Sequence, residues 1–223
     1  MRQDPGGYIP ALRFHSLTRH YDALLAIALK EEKFKSLLVK QANLQPGDRV
    51  LDVGCGTGTL AVLLKKSVPK AHIVGLDADR AALEIARKKA QEAEVEIEFH
   101  EALAWDAPFE PKSFERVVSS LVLHHLRDRD KLRTLQKVRA WLRPDGELHI
   151  ADWGKAQNAL MRMAFVSVQL LDGFQTTTEN VRRGLVPVLR DAGFHSVRET
   201  HREMTLFGTL SLYQAHGGDG NGS

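Results

Sequence analysis

Asp52, Gly54, Gly56 and Gly58 alternate with Val53, Cys55 and Thr57 in the run Val50-Leu51-Asp52-Val53-Gly54-Cys55-Gly56-Thr57-Gly58-Thr59-Leu60. Alternating glycines let a backbone turn through positive φ and let a ligand approach without meeting a side chain. A helix starting directly after them turns its unpaired N–H groups and positive dipole end toward that ligand, which favours an anionic group. A second carboxylate, Asp77, follows roughly 20 residues beyond the glycine turn, where an acid accepts hydrogen bonds from both ribose hydroxyls of an adenosine-containing ligand. The chemistry expected of this set is nucleoside binding. Asp77 alone does not separate one adenosine-containing ligand from another.

The elements that must position these residues are legible around them. The apolar run ending at Val53 reads as a buried strand, and Leu60, Leu63 and Leu64 share one face of a helix. His72-Ile73-Val74-Gly75-Leu76-Asp77 is a second strand ending in the acid, and Asp79 is an N-cap for a helix through Leu83, Ala86 and Ala90. Residues 95–99 alternate as a third strand and 114–120 form a fourth. Residues 128–142 are an amphipathic helix, 143–146 a turn and 147–151 a fifth strand. In an open α/β sheet of this kind, ligands bind in the crevice outside the carboxyl ends of the strands. That rule places Ser119, His124, His125, Asp152 and Trp153 at the crevice. A histidine there, with a pKa near neutrality, suits proton transfer from a phenol, thiol or ammonium.

Several function classes fall away. No lysine follows Gly58, so the run is not a triphosphate-binding P-loop, and Thr59 stands where a dinucleotide fingerprint has its sixth-position glycine. A net charge of +3, with basic and acidic residues interleaved as in Lys30-Glu31-Glu32-Lys33, leaves no stripe for nucleic acid. The single cysteine, Cys55, excludes an internal disulfide framework and suits a reducing, cytoplasmic setting. No apolar run approaches the ~20 residues of a membrane span. His100, His124, His125 and His149 lie on different elements, so no metal site is expected. With 223 residues and 43% hydrophobic content, the chain can bury one core.

The acid followed by Gly-x-Gly-x-Gly, between strand and helix, resembles motif I of the class I S-adenosylmethionine (SAM)-dependent methyltransferases, closest to the ubiquinone/menaquinone-biosynthesis and small-molecule group. Leu142-Arg143-Pro144-Asp145-Gly146-Glu147-Leu148 resembles a further signature of that family, with Asp145 in place of a glycine. The resemblance implies a Rossmann-like three-layer α/β sandwich whose seven-stranded, mostly parallel sheet ends in an antiparallel hairpin, here residues 194–200 and 204–215. It implies S-adenosyl-L-methionine as cofactor: its methionine part on Gly54, Gly56 and Gly58 with Asp52 near the amino group, its ribose on Asp77, and its adenine between Ala78 and Ala104-Trp105, with Ser119 also cofactor-binding. His124 and His125 are the candidate catalytic residues. Tyr21, beside Asp22, and Trp153 are substrate or lid candidates.

The adenine loop departs from the family. Aligned on Pro108-Phe109, Leu103 stands where the family usually has an aspartate. Backbone contacts at Ala104 or Trp105, or Asp106 folded inward, are the open replacements. The expected organisation is an N-terminal helical cap over 1–45, a SAM-binding domain over 46–216 with a lid helix at about 155–172, and a disordered tail over 217–223. Thr176 with Glu179 resembles a capping box for the helix that ends before Gly193. The expected activity is methyl transfer to a small, partly apolar acceptor. Two rivals stand beside it: a methyltransferase-like binding module without turnover, and an NAD-dependent oxidoreductase.

Overall fold

The computed structural model describes residues 31–153, 184–205 and 208–218. Tyr21, the lid helix at 155–172, the capping box at Thr176 and Glu179, and the helical cap before residue 31 lie outside them.

Seven strands form one sheet: β1 (Arg49–Val53), β2 (His72–Asp77), β3 (Glu98–Glu101), β4 (Phe114–Ser120), β5 (Leu142–Trp153), β6 (His195–Thr205) and β7 (Gly208–His216). Their spatial order is β3-β2-β1-β4-β5-β7-β6. The pairings β1–β2, β1–β4, β2–β3 and β4–β5 are parallel, whereas β7 runs antiparallel to both β5 and β6. The expected terminal hairpin is therefore present, with its second strand inserted between β5 and β6. Sequence order reverses between β1 and β4, which makes that gap the topological switch point where such sheets bind ligands.

Among the described residues five α-helices flank the sheet: α1 (Glu31–Ala42), α2 (Thr59–Ser67), α3 (Arg80–Glu92), α4 (Asp128–Trp141) and α5 (Leu185–Asp191). Both faces are covered, so the central strands are apolar on both sides rather than alternating. Val50, Ile73, Val118 and Ala151 join Phe34, Leu38, Leu60 and Leu64 in one core layer. Their strand neighbours Leu51, Val74, Val117 and Ile150 join Leu135, Val138, Trp141 and Leu189 in the other. The period of two that puts successive side chains on opposite faces decides this division. Asp79 caps α3 as its position suggests, accepting from the N–H of Ala81 and Ala82.

Three expectations need correction. The third strand is Glu98–Glu101 rather than 95–99, because the parallel register with β2 begins only at Val74↔Glu98. The turn at 143–146 lies inside the span of β5: Phe114 pairs with Leu142 and Arg116 with Glu147, so four residues loop out between two consecutive pairings. The tail is not free from residue 217, since Gly217 donates its N–H to the carbonyl of Gly146 and both Gly217 and Gly218 are buried.

Candidate functional site

The glycine run leaves the carboxyl end of β1 and enters α2. Gly54, Gly56 and Gly58 all have left-handed φ angles, +69°, +50° and +75°. Their surroundings differ. A Cβ on Gly54 would stand 2.4 Å from Val122 Cγ2, and one on Gly58 would stand 2.8 Å from Ala86 Cβ. A Cβ on Gly56 would meet nothing within 4 Å. The outer two glycines are thus required by protein packing, and the central one faces open space where a ligand can lie against backbone.

Asp77 shapes that loop directly. Its carboxylate accepts from the N–H of Gly56 at 2.8 Å and from that of Asp79 at 2.9 Å, holding the end of β2 against the middle of the run. Burial pushes its pKa above the usual carboxylate value, although these backbone donors oppose the rise. The Asp77 carbonyl accepts from Ala102, which ties down the next loop. Lys89 of α3 spans the run from behind, donating to Thr57 Oγ1 at 3.1 Å and Thr59 Oγ1 at 2.7 Å. The sequence reading missed that lysine; it is one more basic residue on a polar helix face, and only the packing of α3 against α2 shows its role.

Asp52 is buried, and neither carboxylate oxygen has a hydrogen-bond partner among the described residues. Desolvation raises its pKa to about 7 and Asp77 adds to the rise, while Lys35 of α1 and the backbone N–H of Ala61 at the start of α2 oppose it. A buried carboxylate with so little hydrogen bonding is costly, so its position beside the open glycine suits the ammonium group of a ligand. Burial and the nearby charges of Asp52 and Asp77 push the Cys55 thiol well above its ordinary value, which disfavours a thiolate there.

The carboxyl end of β4 closes the other side. Ser119 is buried and donates to the carbonyl of Val53 at 2.9 Å, so its hydroxyl joins the ends of β4 and β1. Leu121 takes a left-handed φ of +57°, and its N–H bonds the Ala151 carbonyl. That turn throws Val122 onto Gly54 and starts the short 3₁₀ segment Leu123–His125. Here the structure makes a pairing absent from the sequence reading. Asp152, at the end of β5, accepts from His124 Nδ1 at 2.7 Å. It also accepts from the backbone N–H of Leu123, His124 and Trp153. Burial works to raise the Asp152 pKa, but the charge and hydrogen bond of His124 and the N–H of Trp153 outweigh it and hold the carboxyl below the usual range. The signal available in the sequence was the parallel neighbourhood of β4 and β5, which brings residues just past 120 beside 152.

His125 stacks on His124 with ring centroids 3.9 Å apart. Desolvation, and then the neighbouring His124, push its pKa down to about 3, so its ring is neutral near pH 7. The expectation of a near-neutral pKa therefore fails for His125. Trp153 is buried edge-on to His124, with centroids 6.3 Å apart.

In the loop over residues 102–109, expected from the resemblance to flank adenine, Leu103 packs on the core beside buried Trp105. Asp106 turns outward, where its carboxylate pairs with Arg133 Nη2 at 3.1 Å. Of the open replacements for the missing aspartate, the inward Asp106 is thus not realised, and half-buried Ala104 with Trp105 remains at the loop. His149 lies away from the crevice, enclosed between Gln41 and Glu147. Among the described residues no group of three metal-ligating side chains forms, and no helix is long and apolar enough to cross a membrane.

A parallel α/β sheet with a glycine cradle at its switch point, an acid after β2 and a neighbouring buried carboxylate defines a nucleoside-binding protein. Comparison with known proteins narrows the class. Residues 50–146 match the family described as methyltransferase domain. An uncharacterized methyltransferase of Synechocystis sp. is 30% identical over 83% of this chain and 83% of its own length. A demethylmenaquinone methyltransferase of Lactobacillus johnsonii is 28% identical over 69% of this chain, and the match spans 64% of that enzyme's length. A SAM-dependent methyltransferase from Aquifex aeolicus has the same fold, with a TM-score of 0.67 at 19% identity, over 91% of this chain and 98% of that one. The chain belongs to the SAM-dependent methyltransferases and has their class I fold. The cofactor of that family is S-adenosyl-L-methionine, and the residues present fit it: open Gly56, Asp77 and an Asp52 without a hydrogen bond among the described residues have the space and charge that a nucleoside bearing an amino acid needs. The glycine loop does not suit the NAD reading, and the comparisons do not favour it.

Proposed function

We propose that this protein transfers a methyl group from SAM to a small, partly apolar acceptor of the quinol kind. The observation that carries the reading is the cradle itself, in which Gly56 is open and left-handed between a buried, unpartnered Asp52 and the clasping Asp77. The acceptor class rests on the L. johnsonii relative, named for methylation of demethylmenaquinone.

In this reading the backbone of Gly54, Gly56 and Gly58 lies along the methionine part, Asp52 faces its ammonium group and Asp77 receives the ribose hydroxyls. Ala78 and the Ala104-Trp105 loop flank adenine, and Ser119 holds the floor of the cradle. When bound, the sulfonium supplies a methyl carbon that is already electrophilic. The protein's share is to hold the acceptor in line about 3 Å from that carbon and to exclude water. His124 and His125 border that space, with Trp153 and Tyr21 as acceptor-lining candidates. The setting is the cytoplasm, which a single buried cysteine suits.

Calorimetric titration with SAM and its demethylated product, with NAD as control, tests the cofactor half. Micromolar binding of both sulfur compounds and none of NAD is expected. An assay with reduced, unmethylated naphthoquinones then tests the acceptor half. Binding of NAD alone, or tight SAM binding with no turnover on any quinol, overturns the reading.

A further inference from the structure

We infer that Asp152 is a positioning residue that fixes the His124 imidazole with its proton on Nδ1, so that Nε2 is the base that takes an O–H proton from the acceptor. The inference rests on the methyl-transfer reading above and deepens it by separating the two histidines and naming the acceptor's acidic group.

The argument is geometric. Asp152 Oδ1 accepts from Trp153 N–H at 2.7 Å and lies 2.7 Å from His124 Nδ1; Oδ2 accepts from Leu123 N–H at 2.8 Å and His124 N–H at 3.3 Å. An ionised carboxylate only accepts, so the His124 contact requires the hydrogen on Nδ1. Three backbone donors hold the carboxylate in place. The imidazole bound to it is buried, with 4% of its surface exposed. The remaining ring nitrogen, Nε2, therefore carries the lone pair. When Nε2 takes a proton, the imidazolium forms against a fixed negative charge, the arrangement that lets a carboxylate stabilise a charged histidine. Among the described residues no carboxylate hydrogen-bonds to His125. A second positive ring stacked 3.9 Å from His124 would oppose the first.

The step balances as follows. The acceptor O–H proton passes to His124 Nε2 and later to solvent. The electron pair of the resulting oxyanion, or of the ring carbon it activates, forms the bond to the methyl carbon. The S–CH₃ bonding pair stays on sulfur, which becomes a neutral thioether. The acceptor thus carries an ionisable hydroxyl, as a phenol or quinol does.

Two readouts test this. Long-range ¹H–¹⁵N spectra of histidine-labelled full-length protein, with His124 assigned by difference against His124→Gln, read the tautomer without any acceptor. The expected result is a protonated Nδ1 and a bare Nε2, converted in Asp152→Asn to a mixed or reversed state. In turnover, Asp152→Asn is expected to lower kcat about 100-fold, with KM for SAM within about twofold. SAM affinity of the variant, measured separately, reports that it folds. A wild-type His124 protonated on Nε2, or an Asp152→Asn protein with unchanged tautomer or unchanged kcat, overturns the inference. An inactive wild type showing the expected tautomer instead fails the methyl-transfer reading and takes the base role with it, leaving Asp152 as a positioning residue only.

Discussion

The Asp77 carboxylate at the end of β2 holds the Gly56 N–H at 2.8 Å, in the middle of the loop that follows β1. One side chain thus shapes the cradle and, in the proposed reading, is also the acceptor offered to the ribose. Each charge-assisted hydrogen bond of this kind contributes about 1.5–3 kcal/mol. Asp77→Ala should weaken SAM binding by ten- to hundredfold and leave a folded protein of somewhat lower thermal stability. Calorimetry on the purified variant decides it, and unchanged affinity would remove the ribose assignment.

Gly54 and Gly56 should respond differently to the same methyl group. In Gly54→Ala the new Cβ meets Val122 in a position that is already left-handed, so overpacking adds to backbone strain. A loss of about 3 kcal/mol is expected from the two together. In Gly56→Ala the methyl meets no protein atom, and only the strain of roughly 1 kcal/mol remains. Its methyl, however, stands where the ligand approaches. Denaturant melts should rank Gly54→Ala as the less stable protein, whereas titration should rank Gly56→Ala as having lost more affinity than its stability change explains. The reverse pattern would show that Gly56 does not face the cofactor.

Asp52 makes a pH-dependent prediction. Its folded pKa of about 7 lies above the ordinary 3.8, chiefly through desolvation. Between those values the unfolded chain has lost the proton and the folded one keeps it, so folding stability falls as pH rises from about 4 to about 7 and then levels off. Asp52→Asn removes this burden. The stability difference between variant and wild type, free of cofactor, should grow in the variant's favour across that window and be flat above it. The same variant should bind SAM more weakly, because no carboxylate faces the ammonium. Urea melts at intervals from pH 4 to 8 measure the first effect, and a pH-independent difference would place Asp52 in a polar setting.

His125 should act in the opposite sense. Its folded pKa is lowered to about 3, so below pH 6.5 the unfolded chain takes up a proton that the folded ring refuses. Its contribution to stability is present above 6.5 and is lost as pH falls toward 3. His125→Gln should therefore blunt acid sensitivity over that range, seen as a smaller drop in Tm between pH 7 and pH 4 than in wild type.

Lys89 reaches the hydroxyls of both Thr57 and Thr59 from α3. Lys89→Met keeps the aliphatic stem and removes these bonds, each worth about 1 kcal/mol. SAM affinity should fall several-fold, and the melting midpoint by several degrees, as a loss of about 2 kcal/mol implies. A full loss of folding would show that the lysine serves the core instead of the loop.

The residues of β1, the glycine run, β2 and Asp77 are neighbours in sequence, and the contacts that organise them are local or one βαβ unit away. Apolar periodicity and glycine spacing therefore carried the strand, glycine turn and helix and the Asp79 cap, while the sheet's full topology came from the family resemblance. What required the folded chain was every contact made across strands. The sequence placed His124 and Asp152 in the same crevice, but only the parallel register of β4 and β5 brings the carboxylate onto Nδ1. Asp106, equally plausible inward or outward by position, turns out because Arg133 of α4 lies within reach. Val122 on Gly54 and Lys89 behind the loop are likewise invisible to a one-dimensional pattern. Local sequence determines conformation and amphipathic face through steric and hydrophobic periodicity. Partners that are distant along the chain are chosen by packing, and here packing set the contact between Asp152 and His124.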